Sequence, residues 1–563
     1  MKSFAKIVLI SIIVLATAAR LIFLDTLPKS PHADEVMNAY VGRYILQNGF
    51  DLYGNPWPLI YFDNFGDYPN IMPMYLSGIF TILFGNAMWA VRLPIALLGI
   101  AAVYLVYLIS INIFRRQGLA LFSALSLAIM PWHIVLSRST AEGIVASTVF
   151  LLGLYILIKY FYQPQLSKLV LTFSLFAFTY LLYPSYRIMI PLVFLIAIFV
   201  PLLKKQRTQL VIATVLASLL TLFVSQTNWG QGRFNQTSIT GGKSVVFAWQ
   251  STFIAGEGHT NAVKARIFFN KPVMIGREFA KQYLSYFSPN YLFSEGGLPE
   301  RYLVPEQGLW YYGYLLIFLA GGGFLLLYTN KAAKLKQQLF IAPLQWRIYL
   351  FIGLILFCAP VAAALTFDAV PNVHRTALMA PILAILVALP FHFIKQIHFR
   401  KLNLGVILML IIALESIYFW NKYTVHSNTA QLQHRGPAVS ELIEYISLEK
   451  DNYDQVFVPK EDELALFYLF RNQIYNPDLS GRMKKSLEID QIGNVFFTPT
   501  ACGPEDDFFD QSRSKKNLVI QKNECNLGVD DDELKQAGFQ EVAQIRDIQG
   551  NLVYVVYSWT VLD

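Results

Sequence analysis

Asp34 and Glu35 stand side by side in the stretch SPHADEVMNAY, shortly after an apolar N-terminal segment. An ionised carboxylate can take the proton from an attacking hydroxyl, so an acid placed here could serve as a general base. The same pair could do no more than start a helix: Asp is a favoured N-cap, and Glu in a first turn suits the helix dipole. Other polar residues recur at comparable places between apolar segments. Arg92 opens AVRLPIAL, and Arg138 and Glu142 lie in LSRSTAEG. Tyr183, Tyr186 and Arg187 lie in LLYPSYRIMIP, and Asp368, His374 and Arg375 in TFDAVPNVHRTALMAP. Taken singly, each arginine reads equally well as an interfacial anchor. Taken together, charges gathered near a membrane interior are costly and mark a pathway or a site. Arginines can hold a phosphate and offset charge as it leaves. Acids plus arginines therefore suit attack of a hydroxyl on a sugar phosphate. The chain has no Walker loop, strand-linked GxGxxG, HExxH or paired CxxC, which disfavours soluble-nucleotide and zinc chemistry.

The elements that must position these residues are apolar helices. The chain has 563 residues, of which 55% are hydrophobic and only 15% charged. A soluble protein carries about a quarter charged residues, so the expected class is a polytopic α-helical membrane protein. Segments long enough to span a bilayer, roughly 20 apolar residues, fall near 7–24, 87–113, 118–136, 143–161, 168–183, 188–203, 208–225, 308–328, 347–366, 376–394 and 402–420. That is about eleven transmembrane helices. Loop charge sets the orientation. With Lys2 and Lys6 inside, the inner loops collect Arg115 and Arg116, Lys159 and Lys168, and Lys204, Lys205 and Arg207. The outer loops hold mainly Arg138, Arg187 and Arg375. The N-terminus also resembles a signal peptide, but cleavage after ATAAR would invert this alternation, so it is read as an uncleaved anchor.

Three regions are then external: residues 25–86, 226–307 and the tail 421–563. Two stretches of the first loop, 34–48 and 68–86, have the look of helices lying along the outer membrane surface. In the tail, SELIEYISLEK and ELALFYLF read as helices, and YDQVFVP, NVFFTP, NLVIQK and NLVYVVYSW as strands. The expected layout is a transmembrane domain over 1–420 and an extracytoplasmic α/β domain over 421–563. A Cys502–Cys525 disulfide is open in that compartment. The net charge of +8 is loop asymmetry rather than a nucleic-acid footprint, and no nucleic-acid partner is expected.

In order along the chain, ATAARLIFL, HADE, GDYPNIMPMYLSGIFTILFGN followed by AVRLPIALLG, and LSRSTAEG resemble the GT-C superfamily of polytopic glycosyltransferases. The resemblance is to the protein O-mannosyltransferase and aminoarabinose-transferase type (glycosyltransferase family 39-like). It covers residues 10–200 well, and continues more weakly through 287–313 and 370–386. It implies a GT-C fold and a catalytic carboxylate in the first external loop. Asp34 is then the base, Glu35 its neighbour and Glu142 a second acid positioning the acceptor or a metal. It implies donor-phosphate contacts from Arg138, Arg92, Arg187 or Arg375. The substrate cavity would draw on His32, Asp67, Tyr68, Tyr183, Tyr186 and His374. The family's Lys-Pro-Pro is replaced by Asp67-Tyr68-Pro69-Asn70, which removes one phosphate contact. The oligosaccharyltransferase motif WWDYG is absent. Asp34, Glu142 and His32 could hold a divalent cation, Mg or Mn.

The expected activity is transfer of a hexosyl or pentosyl group, with inversion, from a polyprenyl-phosphate donor drawn from membrane lipid. The acceptor, a protein, lipid or glycan, would approach from the outer side of a plasma membrane of bacterial type. A rival is a non-catalytic transporter of lipid or solute, but transporters usually carry internal repeats, and none is evident. A second rival is a catalytically silent relative whose tail binds envelope partners.

Overall fold

In the computed structural model the described residues are 2–63, 68–241, 245–258, 262–330, 334, 337, 339–340, 342–399, 402–436, 438–460, 464–484, 487–500, 502, 515–526, 535–536 and 538–560. They form two compact units. One joins Met1–Leu24 to Leu93–Ser427; the other joins Asp25–Arg92 to Asn428–Asp563.

The first unit is helical. Among the described residues six helices are long and apolar enough to cross a membrane: Ser3–Leu21, Met88–Phe114, Glu142–Tyr162, Lys204–Ser225, Pro343–Ala364 and Leu404–Ala430. The pair Gln117–Ala128 and Pro131–Ser137 makes a seventh if it is one span bent by 57°. The bend falls at Pro131, whose ring nitrogen has no proton to continue the helical ladder. Shorter apolar helices are Leu166–Thr179, Tyr186–Ala197, Tyr312–Leu327 and Met379–Ile394. A 14-residue helix is only about 21 Å long. Leu166–Thr179 runs on in tight turns, Leu181 N–H donating to Phe178 O and Leu182 N–H to Thr179 O, until Pro184.

In the second unit the first loop and the tail share one core. Helix Ala33–Asn48 crosses helix Ile71–Phe84 at Gly42 and Gly78. A Cβ on Gly42 would lie 1.9 Å from Met74 O, and one on Gly78 would lie 2.4 Å from Gly42 C. Only glycine allows this approach. Helix Ala33–Asn48 ends at Gly49, with φ of 81°, as the Asn-Gly pair leads one to expect. Its other face meets the tail. Tyr40 Oη donates to Ile474 O at 2.6 Å, Tyr44 Oη to Pro477 O at 3.1 Å, and Asn48 Nδ2 to Tyr475 O at 3.1 Å. Val36, Tyr40, Tyr44 and Ile45 join Leu442, Ile446, Val456, Leu466 and Val556 in one apolar cluster. The helix is thus a core element and not one lying on a surface: tail side chains cover the face expected to meet lipid. Helix Ile71–Phe84 does expose Ile79, Ile82, Leu83 and Phe84.

The tail is the expected α/β domain. Its six strands are β1 (Gln455–Pro459), β2 (Gln491–Ile492), β3 (Val495–Thr498), β4 (Lys516–Lys522), β5 (Phe539–Arg546) and β6 (Leu552–Thr560). They form a mixed sheet in the order β2-β3-β1-β4-β6-β5. Strand β1 pairs parallel with β3 and β4, and the remaining pairs are antiparallel. Helices Val439–Glu449 and Leu464–Arg471 supply the α component. Cys502 and Cys525 are disulfide-bonded.

Candidate active site

The acid pair lies in the first turn of helix Ala33–Asn48. The N-cap is His32, not Asp34. His32 Nδ1 accepts from Asp34 N–H at 3.0 Å, and Glu35 Oε2 reaches back to His32 N–H at 3.2 Å. This is a capping box with an imidazole in place of the usual hydroxyl. Both first-turn duties are thus taken by His32 and Glu35. The Asp34 side chain is 47% exposed, with Oδ2 3.6 Å from His32 Nδ1.

Glu35 is sealed. Its Oε2 accepts from Arg92 Nη2 at 2.9 Å and from Arg435 Nη1 at 3.4 Å, and all three side chains are almost wholly buried. Arg92 also donates to Pro28 O, and Arg435 to Ser30 O and Gln431 Oε1. Burial pushes the Glu35 carboxyl up, but the two guanidinium groups and their hydrogen bonds hold it below the usual range. Arg435 is a residue that sequence reasoning missed: QLQHRGP carries no sign that it meets a glutamate 400 residues earlier. Tyr68 packs edge-on against Tyr61. Asp67 lies outside the described residues.

A second cluster forms within the helical unit. Glu142 opens helix Glu142–Tyr162, with Oε2 3.4 Å from His374 Nε2. The His374 ring lies against Tyr183, with centroids 4.7 Å apart, and against Tyr302 at 6.0 Å. Arg375 grips Asp368 with two bonds of 2.9 and 2.6 Å. Tyr302 also lines a small cleft together with Trp132, Leu136, Gly296, Gly297 and Val373. Tyr302 was not foreseen. Arg138 is buried, donating to Ala19 O and Phe23 O. Arg187 stacks 3.8 Å from the centroid of the Trp229 ring, which occupies that tryptophan. Tyr186 is buried beside Phe150.

Arg20, in the ATAAR stretch, was also missed as a site element. It is wholly buried and donates to Leu127 O, Ala128 O and His133 Nδ1, so it closes the C-terminal end of the first half of the bent pair. A charge in an apolar segment was the available signal. Among the described residues no three His, Cys, Asp or Glu side chains gather to hold a metal.

Residues 67–229 match the family described as dolichyl-phosphate-mannose-protein mannosyltransferase. ArnT from Cupriavidus metallidurans superposes with a TM-score of 0.50 at 13% identity over 97% of both chains, in its undecaprenyl phosphate complex and in its apo state alike. The Archaeoglobus fulgidus oligosaccharyltransferase in its apo form aligns over 93% of this chain and 70% of its own, with 13% identity and a TM-score of 0.48. No curated protein sequence matches the chain. The chain thus shares the fold of ArnT, and residues 67–229 resemble the mannosyltransferase family.

Proposed function

We propose that the protein transfers a sugar from a polyprenyl-phosphate donor to an acceptor hydroxyl, with Asp34 as the general base. The observation that carries this reading is the division of the acid pair. Glu35 is locked between two arginines, while Asp34, held on a rigid first turn, keeps an accessible carboxylate. An ionised, accessible carboxylate at a fixed point is what deprotonation of an incoming hydroxyl requires. The oxygen so activated attacks the anomeric carbon from the face opposite the phosphate, which inverts configuration and releases the polyprenyl phosphate. The solved undecaprenyl phosphate complex of ArnT supports the choice of lipid carrier. Arg92 acts here on Glu35 and Arg375 on Asp368. Arg138, buried against Ala19 O and Phe23 O, is the arginine assigned to the donor phosphate, as the family resemblance implies. Glu142 is assigned to the acceptor. The loop and tail that carry Asp34 would face the outer side of the membrane, in keeping with loop charge and with the Cys502–Cys525 disulfide.

The test is transfer from purified polyprenyl-phosphate sugars by protein in lipid nanodiscs, with mass spectrometry of the acceptor. Product formation that Asp34→Asn abolishes supports the assignment. Full turnover by a folded Asp34→Asn protein would mean that another group is the base.

A further inference from the structure

His374 Nε2 has two neighbours that make opposite demands on it. Gly143 N–H donates to it at 2.8 Å, while the Glu142 carboxylate lies 3.4 Å away. A nitrogen that accepts a proton cannot also donate one. The shorter, directed bond takes Nε2 as its acceptor, which places the ring's proton on Nδ1. This bond serves a purpose at the start of helix Glu142–Tyr162. The N-cap residue, Ala141, offers no side-chain acceptor, and the first N–H groups of a helix need one. His374 supplies it from a loop more than 230 residues away.

Two further features show a built arrangement. A Cβ on Gly143 would stand 2.5 Å from His374 O and 2.7 Å from its Cδ2, so the ring can approach only because residue 143 is glycine. The loop bearing His374 is itself fixed: Asn372 Oδ1 accepts from the N–H groups of His374 and Arg375 at 3.0 and 2.8 Å. Tyr183 and Tyr302 flank the ring.

We propose that His374 is a positioning residue: by capping the helix at Gly143 it fixes the first turn and thereby the Glu142 carboxylate that faces the acceptor. This rests on the transferase reading given above. In that reading His374 exchanges no proton with substrate; it sets where Glu142 stands.

The test uses the full-length protein in nanodiscs and two independent measurements. In transfer kinetics, His374→Phe and Gly143→Ala should each lower kcat about tenfold, and His374→Gln, which keeps an acceptor oxygen, should restore most of it. The His374→Phe/Glu142→Gln double variant should be no slower than Glu142→Gln alone, because both changes strike one device. Defects that multiply, or a Gly143→Ala protein as fast as the parent, would overturn the proposal. The second measurement needs no turnover. With ¹⁵N-labelled histidine, solid-state NMR should show the resonance lost in His374→Gln as a neutral ring with Nε2 unprotonated. An Nε2-protonated ring refutes the cap. A parent protein that transfers no sugar but shows the expected tautomer overturns the transferase reading and leaves the cap standing.

Discussion

Asp34 and Glu35 are neighbours in the chain and face different surroundings: nearly half of the Asp34 side chain meets solvent, while Glu35 Oε2 is closed against Arg92 Nη2 at 2.9 Å. One first turn thus carries one buried, paired acid and one exposed acid.

Replacing Asp34 by Asn should lower kcat by about 10²- to 10⁴-fold, the range of a lost general base. It should leave thermal unfolding unchanged, because the helix cap belongs to His32. Parallel kinetics and differential scanning fluorimetry check both halves.

Glu35→Ala should behave in the opposite way. It leaves Arg92 and Arg435 buried without their shared carboxylate, and removing one partner of a buried pair costs about 3–5 kcal/mol. The pair also gives a pH signature. The folded carboxyl titrates below its unfolded value of 4.5, so its stabilisation is fully present above that pH. It is lost as pH falls through 4.5 towards the lower folded value. Glu35→Gln should flatten this part of the stability curve, which denaturant titrations between neutral and acid pH would reveal.

Gly42→Ala should destabilise the second unit by about 1–3 kcal/mol, as overpacking does, because the new methyl meets Met74 O. Gly85→Ala, with nothing within 4 Å, meets no such clash, although its φ of 83° favours glycine. A larger fall in unfolding temperature for Gly42→Ala than for Gly85→Ala is the expected ranking.

Much of this was legible in the residues. Runs such as SELIEYISLEK and NLVYVVYSW declare helix and strand by period alone, and the structure has them at Val439–Glu449 and Leu552–Thr560. Strand β5, FQEVAQIR, was missed because it lies at the sheet edge with most of its side chains exposed, so no apolar alternation marks it. The cap at His32 was hidden because histidine is not a usual cap residue. The partnership of Glu35 with Arg435 and the seat of His374 on Gly143 are contacts between distant stretches. No local pattern encodes them.

Replacing Cys502 and Cys525 together by Ser should destabilise the tail by about 3 kcal/mol, the loop-entropy value for a closure of this length. Chemical denaturation under oxidising conditions, with the single substitutions as controls, measures it.

The hydrogen bonds that seat helix Ala33–Asn48 join Tyr40 to Ile474 and Tyr44 to Pro477, over separations of 434 and 433 residues. During synthesis this helix emerges early, and its partners leave the ribosome only after every membrane segment has been made. The Asp34 turn therefore stays unfinished through most of the protein's biogenesis, and only the late arrival of the tail completes it. A nascent or C-terminally truncated chain would carry the Asp34 turn without the contacts that seat its helix.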